Sequence, residues 1–142
     1  MDETQKLLQS VVENARTGMD ACAHVLKKAE SAGLRSELME EKKAYEGFAW
    51  EAEQALFASG EHPHAKGPLS RAGMWMGIEM ETMTDTSDAH IAEMLIQGAA
   101  MGIAGMTRDR NDLPDADSQA HDIAARFTAS QEDAMQRLKN FL

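Results

Sequence analysis

Cysteine, proline, positive charge and long apolar runs are all scarce in this sequence, and each scarcity excludes something. A single cysteine, Cys22, leaves no internal disulfide to form and fits a reducing compartment. Only Pro63, Pro68 and Pro114 interrupt the chain, so most of it is free to be helical. No apolar run reaches the roughly 18 residues that a membrane span needs. The first residues, MDETQKLLQS, are acidic and polar where a secretory leader is basic and then apolar, so a cytoplasmic protein is expected. Fourteen Lys and Arg stand against 24 Asp and Glu, a net charge of −10. Nucleic acid and anionic membranes require a basic surface, so neither is an expected partner.

What is present reads as one all-α domain over residues 1–142, long enough to bury a core without metal or disulfides. Ala, Met, Leu, Glu, Gln and Lys dominate, all good helix formers. From Glu3 to about Ala32 the residues Leu8, Val12, Ala15, Met19, Cys22, Leu26 and Ala29 alternate spacings of four and three, the seam of a helix packed in a bundle. Gly33 is the expected stop, and a second helix follows from about Leu34 to Ser59, its seam running through Leu38, Glu41, Tyr45, Phe48 and Ala52. The short connection makes these two helices antiparallel neighbours, a hairpin over 3–59. SGEHPHAKG then reads as loop, and Pro68 suits the first turn of a short helix carrying Trp75, Met76, Met80 and Met83 inside a crossover over 60–87. DTSD offers N-caps for a fourth helix to about Arg110, and the Asp and Ser of NDLPDADS cap a last one from about Asp117, a second hairpin over 88–142.

The two hairpins repeat. A shift of 84 residues lays Val12, Ala15, Gly18, Met19 and Cys22 on Ile96, Ala99, Gly102, Ile103 and Met106. A shift of 86 lays Leu34, Leu38, Phe48, Ala52 and Ala55 on Ala120, Ala124, Ala134, Leu138 and Phe141. Gly inside a helix costs about 1 kcal/mol relative to Ala, so Gly18 and Gly102 imply close backbone approach where their helices cross. Two hairpins joined by a long crossover is the plan of ferritin-like four-helix bundles. The stretch from Trp75-Met76-Gly77-Ile78 through His90-Ile91-Ala92-Glu93-Met94 to Ile96-Gln97-Gly98-Ala99-Ala100-Met101-Gly102-Ile103 resembles an uncharacterised bacterial ferritin-like family, small proteins of Gram-positive anaerobes. That family carries no settled activity, so the resemblance implies a fold and no chemistry.

Ferritin-like enzymes hold two irons with about four carboxylates and two imidazoles aimed inward. Here the one Glu-x-x-His, Glu61 to His64, contains Pro63 and lies in the loop, and Glu41 is the only carboxylate on the seams. A di-iron pair is therefore not expected. Glu41 and Tyr45, one turn apart and within reach of Gln131, suit a single divalent metal or a hydrogen-bonded polar cluster, and a lone buried carboxylate favours the cluster. His90 and Glu93 share a face with Gln97, near Asp85, and form a second candidate cation site; Asp20 with His24 is a similar pair. A polar helix face is the favoured explanation of both. Glu61, His62 and His64 suit only adventitious metal.

Seven of the 11 methionines fall between Gly73 and Met106. Thioethers select Cu(I), but Met76, Met80 and Met83 share a helical stripe with Ala72, which favours core packing. Gly98, Gly102 and Gly105 follow no strand and form no phosphate loop, and Cys22 on the seam reads as a structural thiol. The expected protein is a non-catalytic bundle, a homodimer, acting in binding or structure. Metal dependence at Glu41 and Tyr45 or at His90 and Glu93 is the alternative. A carrier for an unidentified small molecule, using the Met-rich region beside Trp75 as its pocket, is a third.

Overall fold

A computed structural model describes residues 1–63 and 71–142. The described residues form five α-helices and no strand: α1 (Glu3–Leu26), α2 (Ala32–Ala58), α3 (Arg71–Glu81), α4 (Asp88–Asp112) and α5 (Ser118–Leu138), with a closing 3-10 turn at Lys139–Phe141. The helix starts are set by side chains. Asp2 accepts from the Gln5 amide while Gln5 Oε1 accepts from the Asp2 amide, a reciprocal capping box. Ser31, Ser87 and Asp117 each accept from an amide three residues on, opening α2, α4 and α5.

α1 stops at Leu26, earlier than Gly33. Ser31 caps the next helix, and Arg35 Nη1 donates to the carbonyls of Leu26 and Ala29, satisfying groups that a longer helix would have used itself. Gly33 thus lies in the first turn of α2. The proposed first turn at Pro68 falls outside the described residues.

Hydrogen bonds between helix ends give the helix directions. Gln5, at the start of α1, donates to Ser59 beyond the end of α2. Glu3 and Thr4 accept from the amides of Asp115 and Asp117, between α4 and α5, and Ser10 donates to Asp109 near the end of α4. The starts of α1 and α5 and the ends of α2 and α4 therefore share one end of the bundle. At the opposite end Phe141 lies against Gly33. α4 begins at that far end, so the chain after α2 returns the length of the molecule before α4 starts, with α3 packed on α1 and α4.

Burial follows the seams. Leu7, Leu8, Val11, Val12 and Ala15 of α1 join Ala52 and Leu56 of α2, Met106 of α4, and Ile123 and Phe127 of α5 in one cluster. Cys22, Val25, Leu34, Leu38, Met76, Ile91, Met94 and Leu138 form a second. Fully burying a Leu or Phe contributes about 1.5–3 kcal/mol, and Phe127 adds an edge-to-face contact with Phe48 at 5.5 Å between centroids. Tyr45 touches both clusters, marking the level where the apolar core is interrupted.

Candidate functional site

At that level three polar side chains point inward. Glu41 is only 4 % exposed and Gln131 only 6 %, and Tyr45 lies between them. α2 places Glu41 and Tyr45 one turn apart, and α5 brings Gln131 across so that its Nε2 donates to the Tyr45 hydroxyl at 3.5 Å. Room for them comes from glycine. A Cβ at Gly18 would lie 2.5 Å from the Tyr45 ring, and one at Gly102 would lie 3.1 Å from Gln131 Oε1. The close approach expected at both glycines is real, but the neighbours are side chains rather than a crossing backbone.

These side chains border a cavity of about 40 Å³ whose walls come from all five helices. Cys22, Met76, Leu95 and Ala99 belong to its apolar wall, and Asn14 and Thr17, half-buried, also line it. The Met76 methyl lies 2.0 Å from where a Gly98 Cβ would be, so Met76 occupies the space beside Gly98. The volume accommodates a few waters or one small polar group.

The electrostatics follow from withdrawal from water. Burial, reinforced by Glu37 one turn earlier, pushes the Glu41 carboxyl up to about 8 against the pull of Arg137. At neutral pH Glu41 is mainly protonated. Glu37 itself accepts from Arg137 Nε, an ion pair at the edge of the site. Burial also pushes the Cys22 thiol far up, then Glu41 and, more weakly, Glu37 add to it against Lys42, so Cys22 stays a neutral thiol. The Tyr45 phenol is raised by burial, with Cys22 and Glu41 adding and Gln131 opposing. Two buried side-chain oxygens at this level have no hydrogen-bond partner: Glu41 Oε2 and Gln131 Oε1. A buried polar atom left unpaired costs about 1–3 kcal/mol, so the arrangement calls for a hydrogen-bonding partner in the cavity, a donor wherever Glu41 is ionised.

The four candidate metal positions separate into two places. Glu41 and Tyr45 share the central cavity. His90 and Glu93 lie on the outside of α4, where the Glu93 carboxylate accepts from Gln97 at 3.5 Å and Asp85 accepts from the Ser87 amide. Those Ser87 bonds hold the Asp85 carboxyl below its ordinary range. Asp20 is exposed, and His64 lies outside the described residues. Among the described residues no group of three or more His, Cys, Asp or Glu side chains is placed to hold a metal ion. Among them also, no helix is long and apolar enough to cross a membrane. Met76 is buried, with Met80 and Met83 packed beside it against the second cluster. Cys22 and Met76 as cavity walls, and Gly98 as the gap between, are what reading by periodicity missed; the small residues Gly18, Ala21, Gly98, Ala99 and Gly102 were the available signal.

No protein-family model matches the chain, and no curated protein matches it. Among solved structures it is similar to the crystal structure of a DUF305 fragment from Deinococcus radiodurans, with a TM-score of 0.77 at 14 % identity, over 99 % of this chain and 95 % of that one. At that identity the likeness concerns the fold alone.

Proposed function

We propose that the chain is a ferritin-like bundle of two duplicated hairpins that acts as a non-catalytic binding protein, holding a small ligand in the central cavity. The observation that carries this reading is the pair of buried, unpartnered oxygens, Glu41 Oε2 and Gln131 Oε1, beside unfilled space. Duplication is supported by the shift of 86 residues that sets Tyr45 on Gln131, while the shift of 84 sets Gly18 on Gly102. Each glycine faces the polar side chain of its own hairpin, so the two halves offer equivalent pairs to one central layer. The return of the chain along the bundle between α2 and α4 supports the ferritin-like plan.

Trp75 lies 3.7 Å from the Gly98 Cβ position beside the cavity, and Trp50 is an exposed side chain of α2. In a Trp50→Phe background the remaining tryptophan reports occupancy. Mass spectrometry of small molecules released from untagged protein, with Trp75 emission before and after extraction, tests the reading. Stoichiometric release with an emission change supports it. Clean protein whose emission responds to no added small molecule sinks it.

A single divalent metal at Glu41 and Tyr45 is the second reading, favoured by the unpartnered Glu41 oxygen. Elemental analysis of untagged protein and of Glu41→Gln decides it. The expected homodimer is assigned to α2, where the exposed positions from Gly47 to Ala58 (Gly47, Trp50, Gln54, Phe57, Ala58) carry no charge. On a chain of net charge −10, such a stripe lessens the repulsion between two copies that meet there.

A further inference from the structure

We propose that the ligand of the central cavity is a small primary amine in its ammonium form, its head on Glu41, Gln131 and Tyr45 and its alkyl part along Met76 and Leu95. The inference rests on the cavity being a ligand site and names the class it takes.

Three oxygens from α2 and α5 border the cavity, and their needs are alike. With Glu41 ionised, Glu41 Oε2 and Gln131 Oε1 are unpartnered acceptors, and the Tyr45 hydroxyl, which accepts one bond from Gln131, keeps a second lone pair. No Lys, Arg or His lines the space. In that ionised state the surplus is of acceptors, and an ammonium head offers three donors and no acceptor. Calcium takes six to eight oxygens and magnesium a full octahedron, so three oxygens with one ionisable carboxyl serve either poorly. An anion would meet Glu41 and Glu37. The remaining wall of Ala21, Met76, Leu95 and Ala99 suits a short alkyl chain, and the flexible Met76 thioether can shift to admit it.

Binding then couples to a proton. Without ligand Glu41 holds its proton at neutral pH; a cation beside it restores the carboxylate, and the proton leaves to solvent. The charged and titratable groups facing Glu41 are Glu37 and Tyr45 on α2, Cys22 on α1 and Arg137 on α5. α3 and α4 present only Met76, Leu95, Gly98, Ala99 and Gly102 to the cavity. Cys22 and Tyr45 are held protonated by burial, and Arg137 is paired with Glu37, which leaves Glu41 to titrate.

Calorimetric titration of the full chain with n-propylammonium, propionamide and propionate, at pH 6, 7 and 8 in two buffers of different ionisation enthalpy, tests the assignment. Propylammonium should bind about tenfold more tightly per pH unit between 6 and 7, level off past 8, and release close to one proton at pH 7. Glu41→Gln should lose at least about tenfold in affinity at pH 8 and all of the proton release, and Ala99→Leu, which fills the cavity, should abolish binding. Propionamide bound as tightly as the amine, without pH dependence, overturns the ammonium class while the cavity stands as a ligand site. Amine binding that survives Ala99→Leu places it elsewhere and overturns the assignment. No binding of any of the three, with nothing released from untagged protein, overturns both readings.

Discussion

The ring of Tyr45 lies where a side chain on Gly18 would be, 2.5 Å from a Cβ built there. Ala at position 18 would gain about 1 kcal/mol of helix propensity, but an aromatic ring held between two core clusters cannot move aside cheaply. Gly18→Ala is therefore expected to destabilise by about 1–3 kcal/mol. In a Tyr45→Ala background the obstruction is gone and the same change should stabilise by up to about 1 kcal/mol. Urea unfolding of the four proteins measures this coupling; additive effects of the two changes would show that the ring and Gly18 do not compete for space.

Glu41 makes stability depend on pH. Its carboxyl is raised in the folded chain from 4.5 to about 8, chiefly by burial. Below 4.5 both folded and unfolded states hold the proton, so its contribution is fully present. As pH rises from 4.5 to about 8 the unfolded chain releases a proton that the folded chain keeps, and stability falls, levelling above about 8. The loss is about 1.4 kcal/mol per pH unit, so on the order of 5 kcal/mol over the window. Wild-type minus Glu41→Gln stability, followed from pH 4 to pH 9, should show this slope. A flat difference would mean that Glu41 ionises as freely as it does in water.

How much of this was legible in the sequence differs between the frame and the site. Spacing placed Leu8, Val12, Ala15 and Cys22 in the core, and the caps at Ser87 and Asp117 follow from short oxygen-bearing side chains before apolar runs. The end of α1 was not legible, because Ala29 is buried and prolongs the apolar pattern past Leu26. Past Leu26 the backbone tightens instead, Lys27 and Lys28 donating to the carbonyls of His24 and Val25, and Arg35, nine residues on, donates to the Leu26 carbonyl. At the site, Glu41, Tyr45 and Gln131 could be brought together from their seam positions. The Met-rich region beside Trp75 hinted at a pocket, but its place and walls could not be read, since a gap is defined by atoms that are missing, and no periodicity records them. Cys22 and Met76 read as packing residues because one of their faces does pack; only the geometry shows the other face open.

Trp50 is 64 % exposed, far more than packing explains for so large a ring, and Phe57 follows it two turns later on the same outward side of α2. If two copies meet there, Trp50→Glu should convert the dimer to monomer by sedimentation equilibrium at micromolar concentration while changing monomer stability by no more than about 0.5 kcal/mol. Wild-type protein that sediments as a monomer throughout would remove the assignment of this face to self-association.

Gly98 offers the converse of Gly18. A Cβ there would fall 2.0 Å from Met76 Cε, a closer approach than any at Tyr45, yet the atom in the way is the end of an unbranched, flexible side chain. Met76 can turn about three bonds to clear it, and Ala gains about 1 kcal/mol of helix propensity, so Gly98→Ala is expected to change stability by less than about 1 kcal/mol in either direction. Its effect should appear in the cavity instead, because the displaced Met76 methyl must move into or away from the space beside Leu95 and Ala99. Trp75 emission in the Trp50→Phe background should therefore shift although the unfolding midpoint hardly moves, and affinity for a cavity ligand should change with it. A large loss of stability with unchanged emission would mean that Met76 is fixed as firmly as the Tyr45 ring, and that the wall of the cavity on the α3 side does not yield.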